Sequence, residues 1–481
     1  MTDDFLKKLL TAKSDDERSW LVTQNLLNSL PENVQRAVFA AAIPHWFNKE
    51  ILRTLLPDMA EEIDIIYDKL KSLPFTEPYQ GRGSNIHETT RNFILNNLWE
   101  NNLDLYKSLS QNASEYFLAE FEKNKDKQVR IEQIYHAVIA ESEENSKIIW
   151  EQGAEWHDER EGYTYSTLNA LVLSIQEHIQ ANRVEGIAVG WTLLWDALIA
   201  SYHYEYEKAK TIFRRVISSN YNDDTLKVNC ISALGDVHNK LSELPEARAR
   251  YEEALPLYRA IGAKIGEINS VLNLADLAAK EKKFEQAVQL AESAIELAKK
   301  ISPANVASAF NNLASIYDKK KDYPKAIEFY TKAMEIFTGS QAYMIRNRAS
   351  MYLKMEDAEN AEKDIALAEK IQPINPFLFL RKGELANLRE NFDGAIEHFK
   401  KAIELIPRFS GAFFGIGISN LRAGRIQEAK ISFQQGLSFT DAIDELDDTI
   451  EELEKLQSRQ PLLGGTKEIL ELLRNWKPDK K

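Results

Sequence analysis

Cysteine is almost absent from this 481-residue chain: Cys230 stands alone, which excludes an intrachain disulfide and a cysteine-cluster zinc site. It sits in a helical pattern and reads as a buried small hydrophobe, not a reactive thiol. Histidine is scarce as well. None of the 8 histidines lies three to five positions from another or in a His-Glu-x-x-His pair, so helix-borne zinc spacing is missing. Not one of the 19 glycines precedes a lysine. That excludes a Walker A loop, whose backbone N–H groups and lysine together hold phosphates. A Gly-x-Ser-x-Gly nucleophile elbow is absent too. His157-Asp158 is the nearest thing to a charged cluster and reads as a solvated helix end. No enzyme activity and no cofactor or metal are expected.

Long apolar runs are also missing. The most apolar stretch, Gly186–Ser201, is too short for a bilayer and carries Asp196, and it reads as a buried helix. The opening MTDDFLKKLL is acidic and amphipathic and lacks the apolar core of a signal peptide, so a cytoplasmic location is expected. Basic charge is in deficit: 60 Lys and Arg against 74 Asp and Glu leave a formal net charge of −14. Such a balance disfavours non-specific attraction to nucleic acid or to anionic membranes.

What the chain does have is repetition. Small residues stand at Gly235, Ala275, Ala314, Ala349, Gly383 and Gly417, at intervals of 40, 39, 35, 34 and 34. Twelve positions on from each lies an alanine: Ala247, Ala287, Ala326, Ala361, Ala395 and Ala429. Four further lie Tyr251, Ala291, Tyr330, Ile365, Phe399 and Phe433, then Ala254, Ala294, Ala333, Ala368, Ala402 and Gly436 after three more. Antiparallel helices approach closely only where small side chains meet, and larger ones such as Phe310, Leu313, Tyr317 and Phe329 fill the flanking gaps. Polar turns such as Lys321-Asp322-Tyr323-Pro324 join the helices, and Pro373 and Pro407 stop them. This pattern resembles the tetratricopeptide repeat (TPR) from about Val228 to Leu437. The first three repeats are longer than the consensus and lack its terminal proline, which suggests extended helices. A weaker copy fits Trp191–Val216.

Ahead of the array, the spacing predicts helices over Arg18–Ser29, Val34–Ala42, Lys49–Leu55 and Glu61–Leu70. A hairpin of Phe75–Tyr79 and Ser84–His87 then turns at Gln80-Gly81-Arg82-Gly83, and a helix begins near Glu88. Seven of the 8 tryptophans lie before the regular repeats, which marks a distinct region. Helices followed by a hairpin resemble a winged helix. The segment Asn85–Phe93 is similar to a stretch in bacterial signal-transduction NTPases of the STAND class, and Gln133-Ile134-Tyr135-His136-Ala137 is similar to their first repeat helices. That resemblance implies the winged-helix and sensor half of such a protein, without its NTPase, in bacterial signalling or defence. The expected fold is therefore an all-α TPR solenoid superhelix preceded by a small winged-helix-like α+β domain. The expected segments are 1–105 winged-helix-like, 106–225 irregular helical repeats (a degenerate TPR at about 190–218), 226–438 six TPRs, and 439–481 C-terminal capping helices. In the last, Ile443, Leu446, Ile450, Leu453 and Leu456 form one apolar stripe, and the acidic faces read as solvated.

Function is expected on the concave face lined by the first helix of each repeat. Asn273, Asn312 and Asn347 occupy the same position in three consecutive repeats, and Arg381 follows in the next. A side-chain amide offers a donor and an acceptor, so such a ladder can pair with the backbone of an extended peptide. It resembles the ladders of kinesin light chains and bacterial peptide-sensing regulators. Asn311, Arg346 and Arg381 would add side-chain or carboxylate contacts. The expected partner is a protein or peptide. Two alternatives stand beside this reading: a transcriptional regulator whose winged helix binds DNA, and a subunit that restrains an effector enzyme. Glu61, Glu62, Asp64 and Asp68 on and beside the helix before the hairpin speak against DNA.

Overall fold

The computed structural model describes residues 9–12, 14–140, 146–159, 165–461 and 463–478. Most of the opening MTDDFLKKLL, the side chain of Asp158, and Leu462 lie outside the described residues. The chain divides into two compact units, Met1–Glu205 with Ser219–Asp223, and Tyr206–Ser218 with Asp224–Lys481.

The first unit begins with α1 (Asp15–Ser29), α2 (Glu32–Ala42), α3 (Lys49–Leu55) and α4 (Ile63–Lys71). Strands β1 (Thr76–Tyr79) and β2 (Gly83–Ile86) follow, paired antiparallel with Thr76 opposite Ile86 and Tyr79 opposite Gly83. Asn48 starts α3 by accepting from the Ile51 N–H at 2.9 Å, which satisfies a donor the helix cannot. Phe47 and Ser84 exchange two backbone hydrogen bonds of 2.7 and 2.9 Å, so a residue before α3 adds a third rung to the hairpin. Gly83 is required there: its φ is 117°, and a Cβ would lie 2.4 Å from the Phe47 carbonyl oxygen.

The unit continues through α5 (Glu88–Asn101), α6 (Leu103–Asn124), α7 (Lys127–Ala140), α8 (Ser146–Glu159), α9 (Ser166–Gln180) and α10 (Ile187–Tyr202). Helix α6 packs on α3 and α5 as well as on α7, so packing runs on without a break at residue 105.

The second unit opens with α11 (Tyr206–Ser218) and then six helix pairs. These are α12 (Asp224–Lys240) with α13 (Leu244–Ala260), α14 (Lys264–Lys280) with α15 (Phe284–Ala298), and α16 (Pro303–Lys319) with α17 (Tyr323–Ile336). After them come α18 (Ala342–Lys354) with α19 (Ala358–Ile371), α20 (Pro376–Leu388) with α21 (Phe392–Leu405), and α22 (Ser410–Arg422) with α23 (Ile426–Ser438). Every small residue of the repeat pattern is buried, most of them completely. The reason is visible at the glycines. A Cβ on Gly235, Gly383 or Gly417 would fall 2.7, 2.5 or 2.7 Å from a ring atom of Tyr251, Phe399 or Phe433, sixteen residues on in the second helix. Where the second helix carries Ile365 or Ala291, the facing residue is Ala349 or Ala275. Size is thus matched across five of the pairs, the third setting Ala314 against Tyr330.

The turn inside each pair repeats as closely. Ser242, Lys282, Lys321, Glu356, Glu390 and Gly424 all have φ between 53° and 78°. In each, the next residue's N–H donates to a carbonyl five residues back, as Asp322 N–H does to Tyr317 O at 2.9 Å. The weaker copy at Trp191–Val216 covers α10 and α11, which belong to different units. Ala197, Ala209 and Phe213 are buried as the pattern asks, and Tyr204 has a φ of 64° in the matching register.

The C-terminal segment is a 3-10 turn (Ile443–Leu446), α24 (Asp447–Arg459) and α25 (Thr466–Asn475). Leu446, Leu453 and Leu456 join a buried cluster with Phe414, Ile418 and Phe433 of the last pair. Ile443 departs from the expected stripe and is 55% exposed, because three residues per turn shift the phase ahead of the α-helix.

Size matching makes a prediction. Gly383→Ala should lower the stability of the second unit by about 1–2 kcal/mol despite alanine's better helix propensity, because the Phe399 ring is already wedged between Gly383 and Gly415. Adding Phe399→Leu should give a loss smaller than the sum of the two single losses, measured by chemical denaturation. Strict additivity would refute the contact.

Candidate functional site

The predicted ladder lies on the first helices of three successive pairs, α14, α16 and α18, and each asparagine is half-buried. Their bonding differs. Asn273 Nδ2 donates to Asp236 Oδ1 of the preceding pair at 3.1 Å. Asn312 Nδ2 donates to the Ser308 carbonyl of its own helix at 2.9 Å, and Asn347 has no hydrogen-bond partner among the described residues. Asn311 is half-buried with an unpartnered Oδ1. Arg346 is buried, its Nη1 donating to Gln372 Oε1 at 3.1 Å, at the foot of the turn into the next repeat. Arg381 Nη1 donates to Ser350 Oγ at 2.7 Å and to Glu384 Oε2 at 2.6 Å. The fold thus brings the asparagines to one helix face, while Arg346 is tied into the array.

Sequence reading missed the cations beside them. Lys280, Lys319 and Lys354 stand seven residues after Asn273, Asn312 and Asn347, two helical turns along the same face. The interval of seven was there to be found. Lys319 pairs with Asp276 of the preceding repeat, and Lys354 with Asp318 at 2.8 Å. Burial opposes the charge on Lys354, but the Asp318 and Asp448 carboxylates outweigh it and raise its pKa.

The second carboxylate on Lys354 comes from the C-terminal segment. Asp448 Oδ2 lies 3.1 Å from Lys354 Nζ, Asp444 Oδ2 3.0 Å from Lys280 Nζ, and Glu451 Oε2 2.6 Å from Lys321 Nζ. Asp444 also accepts from Ser242 in the first pair, and Glu445 from Ser410 in the last at 3.4 Å. A segment this short, about 25 Å long at helical rise, touches the first pair and the sixth only if the first-helix faces curve around it. The acidic faces expected to be solvated are therefore in part ion-paired with the array.

Comparison with known proteins agrees with the repeat fold. The tetratricopeptide-repeat family profile matches residues 264–339. Two solved structures share the fold over most of the chain. One is a STAND protein with a tetratricopeptide repeat sensor from Pyrococcus horikoshii, at 14% identity and a TM-score of 0.50, covering 90% of this chain and 66% of that one. The array is built of tetratricopeptide repeats. The other structure is a Rap protein complexed with competence and sporulation factor, at 12% identity and a TM-score of 0.50, covering 87% of this chain and 100% of that one. At these identities the likeness is one of fold. A curated relative, the 43 kDa receptor-associated protein of the synapse from Tetronarce californica, is 30% identical over 82 residues. This chain spans a fifth of that relative's length and just under two thirds of the STAND structure's.

The unit ahead of the TPR array holds a second polar cluster, again unforeseen. His45 Nδ1 is 2.8 Å from Glu132 Oε2, and its Nε2 is 3.0 Å from Glu177 Oε2. Both nitrogens can donate only if the ring is protonated. Arg91 donates to the Ala42 and Ile43 carbonyls, to Glu177 Oε1 and to Tyr135 Oη, at 2.9 to 3.0 Å. The two segments that carry the STAND resemblance therefore meet, Arg91 of one bonding Tyr135 of the other. Burial would lower the His45 pKa, but the Glu132 charge and the hydrogen bonds the ring donates to both carboxylates raise it. Burial opposes ionisation of Glu132 and Glu177 too, yet His45 and Arg91 hold them far below the usual carboxylate range. His136 and His178 are lowered, burial being the largest cause. With both His45 nitrogens engaged, the cluster is a clamp between α2, α5, α7 and α9.

Elsewhere, among the described residues, no group of three His, Cys, Asp or Glu is placed to hold a metal, and no helix is long and apolar enough to cross a membrane. Cys230 is buried, which pushes its thiol pKa up.

The clamp carries a pH signature. A raised histidine stabilises the fold fully below its unfolded value near 6.5 and loses that contribution as pH rises through the folded value. His136 and His178 work oppositely, losing theirs as pH falls below about 6.5, and Glu132 and Glu177 lose theirs below about 4.5. The stability deficit of His45→Gln should thus be largest near pH 5.5–6 and shrink toward pH 8.5, followed by tryptophan fluorescence during denaturation. A deficit independent of pH would show that His45 is not held as the imidazolium.

Proposed function

We propose that this protein is a non-enzymatic interaction scaffold or sensor that binds a partner protein or extended peptide along the first-helix face of its TPR array. The observation that carries this reading is the amide ladder of Asn273, Asn312 and Asn347. The three are half-buried on one face, and Asn347 is wholly uncommitted, so donors and acceptors stand at repeat spacing for a visiting backbone. Asn311, with its unpartnered oxygen, extends the ladder, and Arg381 borders it. Arg346 is occupied by Gln372 and becomes available only if that bond opens. The fold shared with a STAND sensor and with a Rap protein in complex with a factor supports a regulatory role.

The leading region, 1–105, fits a winged helix. Its helices α2 to α4, the Phe47–Ser84 bridge and the β1–β2 hairpin come in the order of that fold. We read it as a protein-docking module. On α4, where a DNA reader would present cations, Asp64 pairs with Lys49 and Arg53 at 2.6 and 2.7 Å, and Asp68 with Lys71 at 2.8 Å. Lys49, Arg53 and Lys71 are thus already paired with acid. Restraint of an effector enzyme is the same chemistry seen from the partner's side, and co-purification distinguishes it.

Two experiments test this. Pull-down with the native chain and with Asn273/Asn312/Asn347→Ala should show capture weakened about ten-fold or more, since each amide contributes about 0.5–1.5 kcal/mol of net hydrogen bonding. Equal recovery of the same partners by both forms would sink the ladder. In a gel-shift titration, duplex DNA should show no salt-dependent binding, and a linear fall of log affinity with log salt would instead favour the transcriptional regulator.

A further inference from the structure

The lysines beside the ladder already have an occupant. Resting on the groove reading above, we propose that the segment from Asp441 to Arg459 is a built-in competitor for the TPR groove, and that the partner engages the array with an acidic extended segment that takes its place.

Four observations converge. The segment is charge-complementary to what it covers: Asp444, Asp448 and Glu451 meet Lys280, Lys354 and Lys321 in the second, fourth and third repeats. These contacts fall on or beside the face that carries Asn273 and Asn347, because Lys280 and Lys354 stand two turns further along the same helices. Asp448 and Glu451 are three residues apart on α24, so one edge of the helix presents them together, and Asp444 reaches Lys280 from the 3-10 turn just ahead of it. Finally, the contacts exceed what a terminal cap requires. Covering the last pair needs only Leu446, Leu453 and Leu456, which sit on Phe414, Ile418 and Phe433. Nothing about that task calls for reaching Ser242 in the first repeat or Lys280 in the second.

The chemistry of the occupant defines the chemistry of the partner. Lys354 is paired with the array's own Asp318 as well as with Asp448, whereas the ion pairs of Lys280 and Lys321 are with Asp444 and Glu451 of the segment. A neutral peptide in place of the segment would leave Lys280 and Lys321 without those carboxylates and offer nothing in exchange. An acidic segment whose carboxylates reach the same lysines replaces them one for one.

The test uses the full chain and a dye-labelled synthetic peptide of its own residues 440–460. In Asp444→Lys/Asp448→Lys/Glu451→Lys, hydrogen exchange across Asp447–Arg459 should rise about ten-fold, and the peptide should bind at least ten-fold more tightly than to the native chain. Adding Lys280→Glu/Lys321→Glu/Lys354→Glu should restore protection and abolish peptide binding, which a merely misfolded variant could not do. Should the reversed chain not fold, Asp444→Asn/Asp448→Asn/Glu451→Gln must shift exchange and binding in the same direction. Unchanged exchange, or peptide binding that is equal in native and released chains or absent from both, overturns the proposal. The two readings fail separately. If the peptide binds the released chain as expected while pull-down partners are recovered equally by the native chain and by Asn273/Asn312/Asn347→Ala, the ladder is wrong and the competitor stands. If a partner is captured through the ladder with no opening of Asp447–Arg459, the competitor is wrong and the ladder stands.

Discussion

Everything in the array follows from one contact, the fit of a large side chain in the second helix of each pair against a residue with little or no side chain in the first. Phe399 lies against Gly383, Phe433 against Gly417 and Tyr251 against Gly235, with no room for a Cβ between them. Such closeness sets the distance between helices, and with it the direction in which the next pair must start. Because this fit recurs in five of the six pairs, and two alanines meet in the other, the first helices all turn the same edge to one side. Side chains seven residues apart on those helices then form two parallel rows. One is of amides and the other of lysines.

The repeats could be read before the structure because this contact constrains residue type at fixed intervals. Ala247 and its five counterparts had to be small, and they are. The leading helices and hairpin were equally readable, since Gly81 and Gly83 announce the hairpin turn and the observed elements lie within a few residues of those expected. The His45 clamp was not readable. Its members are 87 and 132 residues from His45, with no common period, so only tertiary packing could bring them together. Arg346 illustrates a subtler limit. Its place next to Asn347 suggested the groove, but on a helix one residue is a rotation of about 100°, enough to turn it onto Gln372 instead.

The C-terminal segment shows what an apolar stripe can and cannot specify. Periodicity told which side of α24 is buried and against what kind of surface, and Leu453 and Leu456 obey it. It could not tell that the acidic sides would find lysines in repeats far back along the chain. Those pairings depend on the curvature of the whole array, which no local pattern contains. A net charge of −14 does not reveal them either, because a global excess of acid coexists with a local row of lysine along one wall.

The two attachments of that segment are of unequal strength. Burying a leucine on the last pair is worth about 1.5–3 kcal/mol, whereas a solvent-bathed ion pair contributes about 0.2–1 kcal/mol. Leu446, Leu453 and Leu456 therefore anchor the segment at the sixth repeat, and the ionic contacts to Lys280, Lys321 and Lys354 form its looser edge. An incoming acid meets that looser edge first. Once it has uncovered the lysines of the early and middle repeats, only the leucine contacts at the sixth repeat hold the helix, and Asp447–Arg459 opens more readily than in the ion-paired state.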